Sequence, residues 1–547
     1  MMLFRLRAPK SAAVCGAILL LGWVSGCARP GDHRAGSPPV LRVPLPRDVL
    51  TLDPARATEI TQYNVMRQIY EGLVDYDPGT LSIVPRIARA WSVSEDGLTW
   101  VFDLHRGVRF TDDPCFPEGR GREVEAEDAR YSIERGLGIF RGETAPPDVP
   151  AIADVAGFLD GGEDGISGIS VLSRHELAIR LDRPDPGLLH FLVRPSCRIV
   201  AREAVEAYGE GIASRAVGTG PFRLASWHPL AGILLVRNRH YWQKDGSGRR
   251  LPYLDALQFV PIRDSDQDRP YAEGKIDLMS SYSRAAAPAG ASRATTRADQ
   301  QFFVSRLNTI FIRFDYRSAH AAVRDRRIRL ALSYALPRPV GKMLLPAAGL
   351  LPPGLPGYDP ALQGQRSDPA AAEALLRRAG HSGGKGLPPL RVAWRDWDAG
   401  VGNGVAASLR RVGLRVELRF YSDRDYPEAI SAGEADLFRA GWIADYPDPE
   451  PFLALFLSRA PDNAGRFASP EFDRLFETLR RETDGAARLR IARSLERILV
   501  DETAALFLHH ERESQFVSPR VENWEHNGTN PLNVGFYERI RIRPGAS

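Results

Sequence analysis

The pattern of apolar residues changes near residues 283–297, and this change limits the folds that the chain can adopt. Before it, short runs alternate apolar and polar residues, as in 98–110, 169–182 and 232–242. Alternation at period two predicts half-buried, mostly antiparallel strands. After it, stretches with helical spacing alternate with short apolar runs, an order that predicts a parallel α/β sheet. Because 547 residues exceed what one hydrophobic core supports, we predict an α/β protein with two or three domains.

Local signals place the elements of the second half. Asp368 is a candidate N-cap, Pro369 suits the first helical position, and Gly380 is a candidate stop. The pattern predicts helices at 368–380, 403–413, 424–435 and 486–503, and strands at 390–394, 414–422 and 436–442. The last strand runs into the stretch "RAGWIADYPDPEP", residues 439–451. Since open α/β sheets bind ligands beyond the carboxyl ends of their strands, we predict a binding site there.

Residues 1–26 have the order of a lipoprotein signal peptide. A short basic segment precedes an apolar run that is too short to span a membrane comfortably, and small residues follow. Val24-Ser25-Gly26-Cys27 resembles a bacterial lipobox, which implies cleavage before Cys27 and acylation of its thiol. Residues 27–40 are predicted to form a flexible tether. We therefore expect an exported lipoprotein, anchored in the periplasm or at the cell surface; the alternative is a buried cysteine at the end of a hydrophobic helix.

Two cysteines stay without an assigned role. Cys15 leaves with the signal peptide and Cys27 carries the anchor, so Cys115 and Cys197 remain. In an oxidising compartment these two thiols could form one disulfide. Two separate, partly buried cysteines are an equal alternative.

The sequence offers little support for catalysis or for a metal centre. It contains neither His-Glu-x-x-His nor a Cys-x-x-Cys pair. His509 and His510 are adjacent, and such neighbours on a strand point to opposite faces, which disfavours a metal site. Three of the four net positive charges lie in residues 1–26, so the rest of the chain is close to neutral and nucleic acid is not an expected partner. We expect no catalytic residue, no metal and no cofactor.

An ordered set of short motifs runs through most of the chain. Leu52-Asp53-Pro54 is followed by Tyr70-Glu71-Gly72-Leu73, and residues 94–110 carry Ser-x-Asp-Gly and Phe-x-Leu-x-x-Gly-Val-x-Phe. A Gly-Thr-Gly-Pro-Phe turn follows at 218–222. The other segments are 124–135, 325–338, 465–477 and 518–524. Together, about residues 41–540 resemble the extracellular solute-binding proteins, family 5, of peptide ABC transporters, the oligopeptide- and dipeptide-binding family.

The resemblance implies a two-lobed α/β clamp of the periplasmic-binding-protein type (class II, or cluster C), with an extra subdomain in the first lobe. Carried onto this chain, the signal peptide and tether precede the clamp. The implied boundaries are 41–80, 205–300 and 515–547 for lobe I, 81–204 for the extra subdomain, and 301–514 for lobe II. The chain would cross between the lobes twice, and a ligand would lie in the cleft between them.

The resemblance also implies which side chains meet the ligand. By motif position, Asp445 would bind a peptide α-ammonium and Arg439 a carboxylate. Trp442 would line a side-chain pocket, and Tyr446 is included in the same site. Two alternatives stay open: Arg439 and Asp445 could pair with each other on the surface, and Trp442 could be an ordinary core residue.

Backbone groups complete the implied site. The backbone near Gly441 and Ile443 would pair with an extended ligand as an added strand. The backbone of Thr58, Glu59 and Ile60 would do the same from the facing lobe.

We therefore expect the substrate-binding lipoprotein of an ABC importer, which captures short peptides and delivers them to a permease and its ATPase subunits. It is expected to be a monomer, without enzymatic activity, that contacts the membrane through its lipid anchor only. Three alternatives remain. The same fold could bind a nickel chelate, haem or an oligosaccharide; the protein could be an envelope hydrolase; or it could be a peptide sensor or chaperone without a permease.

Overall fold

The computed structural model describes residues 39–142, 149–228, 231–281, 300–339, 341–524 and 537–543. The expected signal peptide, Cys27 and nearly all of the expected tether lie outside the described residues. Within these ranges, no helix is long and apolar enough to cross a membrane.

The described residues form twenty strands and fourteen α-helices, besides short 3-10 helices. The strands are β1 (Val40–Leu45), β2 (Val74–Tyr76), β3 (Ile83–Pro85), β4 (Ala88–Val93), β5 (Thr99–Leu104), β6 (Ile169–Ser173), β7 (Glu176–Arg180), β8 (Phe222–His228), β9 (Gly232–Arg237), β10 (Ala256–Pro261), β11 (Leu278–Ser281), β12 (Gln300–Ser305), β13 (Asn308–Phe314), β14 (Leu344–Pro346), β15 (Leu390–Arg395), β16 (Val416–Tyr421), β17 (Leu437–Ile443), β18 (Ala505–Val517), β19 (Val521–Glu522) and β20 (Arg541–Ile542). The helices are α1 (Ile60–Met66), α2 (Ala126–Gly138), α3 (Val155–Leu159), α4 (Gly187–Leu192), α5 (Arg202–Tyr208), α6 (Asp268–Ala272), α7 (Ala321–Arg324), α8 (Arg326–Ala335), α9 (Pro369–Arg378), α10 (Ala399–Arg411), α11 (Tyr426–Ser431), α12 (Glu450–Ala454), α13 (Pro470–Arg481) and α14 (Gly485–Asp501).

The predicted elements of the second half are present, with shifted ends. The Asp368 side chain accepts a hydrogen bond from the Ala371 N–H at 3.0 Å, which makes it the N-cap of α9. Helix α10 begins four residues before the predicted start, and α11 is shorter than predicted. The three predicted strands correspond to β15, β16 and β17.

The sheet that contains these strands is mixed, which corrects the prediction of a parallel sheet. Strand β15 pairs in parallel with β16 and with β17, as predicted. On its other side β17 pairs antiparallel with β13, which in turn pairs antiparallel with β18. The order is β11-β18-β13-β17-β15-β16, with β12 and β14 also paired to β18. Strand β13 enters the sheet directly from β12 and not through a βαβ crossover, so it is free to run antiparallel.

Strand β18 links the mixed sheet to the rest of the molecule. Its first half pairs with β13, and its second half pairs with β11 and β12. Strands β12 and β13 follow each other with only Arg306 and Leu307 between them. Two antiparallel stretches of chain therefore connect the region around β11 with the region around β17.

Four large apolar cores surround the sheets. One lies against the sheet β1-β10-β9-β8, and a second lies between α2 and the sheet β4-β5-β7-β6. The other two cover opposite faces of the mixed sheet, because successive residues of β13 point to opposite sides. Phe311 belongs to the core with α12, α13 and α14, and Ile312 to the core with α8, α9 and α10.

Candidate functional site

The candidate site is the part of β17 that extends beyond its neighbour β15. Strand β15 pairs only with Leu437 and Phe438 of β17. Strand β13 pairs with the whole of β17, from Leu437 to Ile443. The last five residues of β17 therefore have a strand on one side only.

Hydrogen bonds at the two ends of the β13–β17 pair show which residues face that open edge. The Ala444 N–H donates to the Leu307 carbonyl at 2.9 Å, and the Asp315 N–H donates to the Asp436 carbonyl at 2.9 Å. In an antiparallel pair every second residue exchanges these bonds. Ala440 and Trp442 therefore bond to β13. Arg439, Gly441 and Ile443 direct their backbone groups to the opposite edge.

One of these outward carbonyls is already occupied. The hydroxyl of Tyr426, the first residue of α11, donates to the Arg439 carbonyl at 2.6 Å. The backbone N–H and C=O groups of Gly441 and Ile443 have no partner on this edge within the described ranges. These are the two residues that the sequence predicted for backbone pairing. Whether a ligand pairs with them stays a prediction.

Arg439 is held beside this edge by an acid that the sequence did not predict. Its Nε donates to Asp398 Oδ2 at 2.8 Å, and Trp394 Nε1 donates to the same oxygen at 3.2 Å. The guanidinium carbon lies 4.7 Å from the ring centroid of Trp397, a cation–π distance. Neither Nη1 nor Nη2 has a hydrogen-bond partner in the described part of the chain. The ion pair of Arg439 with Asp398 replaces the alternative in which Arg439 pairs with Asp445.

Gly441 keeps the space beside this guanidinium open. A Cβ at this position would lie 3.7 Å from Arg439 Nη1 and 2.8 Å from Ile310 Cδ1. The second distance is below ordinary contact, so any larger residue would have to displace Ile310. The guanidinium thus extends along the strand from Arg439 toward Gly441.

Asp445 is exposed and lies just after β17, on a loop that the next residues anchor. The Tyr446 ring stacks on His190 of α4 at a centroid distance of 4.7 Å. Tyr76 Oη and His190 Nδ1 lie 2.9 Å apart. Tyr446 thus packs against the core of the β4–β7 sheet, and the structure places it in an aromatic contact within the protein.

A buried ion-pair network holds the next part of the loop. Arg488 Nη2 donates to Asp448 Oδ1 at 2.9 Å and to Glu450 Oε2 at 2.8 Å. Burial alone would raise the pKa of Asp448, but Arg488 and His190 lower it below its ordinary value. Burial lowers the pKa of His190 to about 4, so the imidazole is neutral at pH 7. The loop after Asp445 therefore has a fixed backbone.

Trp442 is half-buried and packs against the core that contains α12, α13 and α14. Its Nε1 is buried and has no hydrogen-bond partner among the described residues. Trp442 thus packs partly against this core, and its place beside a ligand stays a prediction.

Residues 58–60, which were expected to pair with the ligand from the facing lobe, differ in part from the prediction. The N–H groups of Thr58 and Glu59 both donate to Gln62 Oε1, at 3.0 and 3.2 Å, at the start of α1. These two donors are therefore not available to a ligand, which corrects the expectation that the Thr58–Ile60 backbone as a whole pairs with one. Glu59 also lies 3.6 Å from Arg47 in an exposed ion pair, and the Ile60 side chain is exposed.

The remaining candidate groups are the two cysteines, a serine motif and possible metal ligands. No disulfide joins Cys115 and Cys197, so the alternative of two separate cysteines holds. Burial and the neighbouring Asp113 raise the pKa of the Cys115 thiol to about 12. Residues 380–384 formally match the Gly-x-Ser-x-Gly pattern of serine hydrolases, but Ser382 is exposed after a helix and not in a strand-to-helix turn. The described residues contain no group of three or more His, Cys, Asp or Glu that could hold a metal.

Sequence reasoning missed Asp398, Trp397 and Tyr426. A signal for the first two exists: they directly follow β15, and the carboxyl ends of adjacent parallel strands lie side by side. The sequence gives no such signal for Tyr426, because its contact is a hydrogen bond from the hydroxyl to one backbone carbonyl.

Residues 82–464 match the family described as "Bacterial extracellular solute-binding proteins, family 5 Middle". The chain belongs to this family. Its members are extracellular binding proteins, in agreement with the sequence prediction.

Curated relatives of this solute-binding protein match it over nearly its whole length. It is 26% identical over 527 residues to Di/tripeptide-binding protein 2 of Pseudomonas aeruginosa (strain UCBPP-PA14). That match covers 90% of this chain and 92% of the relative. It is 25% identical over 515 residues to the periplasmic murein peptide-binding protein MppA of Escherichia coli (strain K12), which covers 90% and 91%.

A solved structure shows the same fold. The structure described as "MppA Periplasmic Murein Tripeptide Binding Protein, Unliganded Open Form" superposes with a TM-score of 0.76 at 24% identity, covering 93% of this chain and 98% of that one. The predicted two-lobed α/β clamp is therefore confirmed for this solute-binding protein.

Proposed function

We propose that this protein is the substrate-binding lipoprotein of an ABC importer, which captures short peptides between its lobes. Its relatives named di/tripeptide-binding and murein peptide-binding support a peptide ligand. In this proposal, the loaded protein delivers the peptide to a permease that is driven by ATPase subunits. Closure of the lobes around the ligand would occur by bending of the two stretches that link β11 and β12 with β13 and β18.

The open edge of β17 is the observation that carries the proposal. Gly441 and Ile443 offer two N–H donors and two C=O acceptors along one line, and a peptide in extended conformation has the matching pattern. Main-chain bonds of this kind do not depend on the ligand's side chains. They therefore suit a protein that takes peptides of varied sequence.

Charged groups at the two ends of this edge supply the direction of the ligand. We propose that Asp445 binds the α-ammonium and that the free Nη1 and Nη2 of Arg439 bind the carboxylate. Such charge-assisted bonds contribute about 1.5–3 kcal/mol each. Because Asp398 takes only Nε, it fixes the guanidinium and leaves its outer edge for the ligand. The peptide then runs antiparallel to β17.

The other predicted residues contribute fewer contacts to the ligand than the sequence implied. We propose that Thr58, Glu59 and Ile60 contribute the Thr58 carbonyl and the exposed Ile60 side chain, because two of their amides are occupied. Trp442 and Tyr446 act as walls beside the peptide through the faces that they leave accessible.

We further propose that residues 1–26 direct export and that an acylated Cys27 anchors the mature protein. Lobe I would comprise 41–80, 205–300 and 515–547, the extra subdomain 81–204 and lobe II 301–514. The separate cores around β1–β10, around β5 and α2, and around the mixed sheet support this division.

The test is to identify what the protein carries. Purified mature protein is denatured, and the released small molecules are analysed by mass spectrometry. We expect a set of short peptides, and trialanine added to refolded protein should bind in a calorimeter. Release of sugars or metal chelates alone, together with no heat of binding for any peptide, would contradict the proposal.

A further inference from the structure

The contact between Tyr426 and the open edge has a consequence for ligand length. Tyr426 is buried in a small cluster with Ala393, Ile430 and Phe438, and its ring is covered by the Arg395 guanidinium at 4.5 Å. From this fixed position its hydroxyl donates to the Arg439 carbonyl at 2.6 Å. A side chain therefore occupies the acceptor that the next paired residue of an added strand would use.

We propose that the Tyr426 hydroxyl closes the peptide-binding edge at Arg439 and thereby makes tripeptides the preferred ligands. This inference rests on the proposed function, because it assumes that a peptide pairs with β17.

The strand register gives the number of ligand residues that can pair with β17. A ligand that runs antiparallel to β17 pairs at every second residue. With its ammonium at Asp445, residue 1 lies opposite Ile443 and residue 3 lies opposite Gly441. Residue 5 would lie opposite Arg439, whose carbonyl already has a donor. The edge therefore offers complete pairing to three residues and not to five.

The position of the Arg439 guanidinium supports the same length. Its Nη1 lies 3.7 Å from where a Cβ of Gly441 would be, so the charge sits beside Gly441 and not beyond Arg439. The carboxylate of a third ligand residue opposite Gly441 lies next to these free nitrogens. An extended tripeptide spans about 10 Å, three steps of about 3.4 Å. A fourth residue would carry the carboxylate past the guanidinium, toward the occupied carbonyl.

The test is a length series measured by calorimetry on the mature protein, with alanine peptides of two to six residues. For the unaltered protein we expect trialanine to bind at least about tenfold more tightly than pentaalanine, the value of one charge-assisted bond. Tyr426→Phe frees the Arg439 carbonyl, so pentaalanine should gain about fivefold relative to trialanine, the value of one neutral hydrogen bond.

Tyr421→Phe is the matched control. Tyr421 lies edge-on to Tyr426, and its hydroxyl donates to Glu434 Oε2 at 2.9 Å on the surface, away from β17. It should leave the length series unchanged. Equal affinity of the unaltered protein for trialanine and pentaalanine would overturn the inference, and this result needs no variant. An unchanged series in a folded Tyr426→Phe protein would overturn the role of the hydroxyl. If no peptide of any length binds, the proposed function itself fails.

Discussion

Replacing Arg439 with Gln tests the proposed carboxylate contact with a prediction that separates binding from folding. The substitution removes the free Nη1 and Nη2 beside Gly441 and breaks the bond from Nε to Asp398. Loss of a charge-assisted bond to the ligand carboxylate should weaken trialanine binding by about 1.5–3 kcal/mol, or roughly 10–150-fold. Asp398 keeps only its bond from Trp394, so we also expect a loss of about 1–3 kcal/mol in the free energy of unfolding.

Replacing the ligand carboxylate with an amide separates the loss of binding from the loss of stability. Trialanine and its C-terminal amide are titrated into the unaltered protein and into Arg439→Gln by calorimetry. In a double-mutant cycle, the two changes should be non-additive by about 1.5–3 kcal/mol, because each removes the same contact. The amide should bind the two proteins nearly equally.

Arg391→Gln is the matched control for this cycle. Arg391 makes a similar ion pair with Asp436 at 2.7 Å, at the opposite end of β17 from Asp445. Asp436 is only 3% exposed and would keep bonds from the Ser318 hydroxyl and the Arg391 N–H, so the expected loss of stability is about 1–3 kcal/mol, as for Arg439→Gln. The ratio of acid to amide affinity should not change. Additive effects of Arg439→Gln and amidation would refute the assignment of Arg439 to the ligand carboxylate.

Three further predictions concern the loop after β17. Asp445→Asn should weaken binding of trialanine by about 2–5 kcal/mol in calorimetry but leave N-acetyl-trialanine unaffected, since only the first carries an ammonium; equal losses for both would exclude this role. Burial lowers the pKa of His190 to about 4, so between pH 6.5 and about 4 the unfolded chain binds a proton at this residue that the folded chain does not. The free energy of unfolding is therefore highest above pH 6.5 and falls as the pH drops through this window. Urea unfolding should therefore show a loss of about 3 kcal/mol across this window that His190→Gln reduces, and identical pH profiles of the two proteins would contradict it. Arg488→Met should lower the free energy of unfolding by about 3–5 kcal/mol, since it leaves Asp448 and Glu450 buried without their cation, and a loss below 1 kcal/mol would show that the network is dispensable.

The sequence predicted β17 and its exit correctly because both depend on local signals. Apolar spacing, the N-cap at Asp368 and the strand–helix order are readable over a few residues. They place Arg439 and Asp445 at the end of a strand in an α/β sheet. The family resemblance then supplied a role for each, which the structure leaves as a prediction.

The environment of Arg439 could not be predicted in the same way. Its partner Asp398 comes from a different strand exit, and Tyr426 comes from the preceding helix. Which carbonyl faces the open edge depends on the antiparallel register with β13, and a shift of one residue would reverse it. The sequence indicated neither that β13 is the neighbour nor that it runs antiparallel. The occupied amides of Thr58 and Glu59 likewise depend on one side chain, Gln62.

Amide hydrogen exchange at single-residue resolution tests most directly whether β17 gains a strand. The N–H groups of Ala440 and Trp442 face β13, whereas those of Gly441 and Ile443 face the open edge. On addition of trialanine we predict slower exchange at Gly441 and Ile443, with little change at Ala440 and Trp442. Tight binding of trialanine with unchanged exchange at Gly441 and Ile443 would contradict the account.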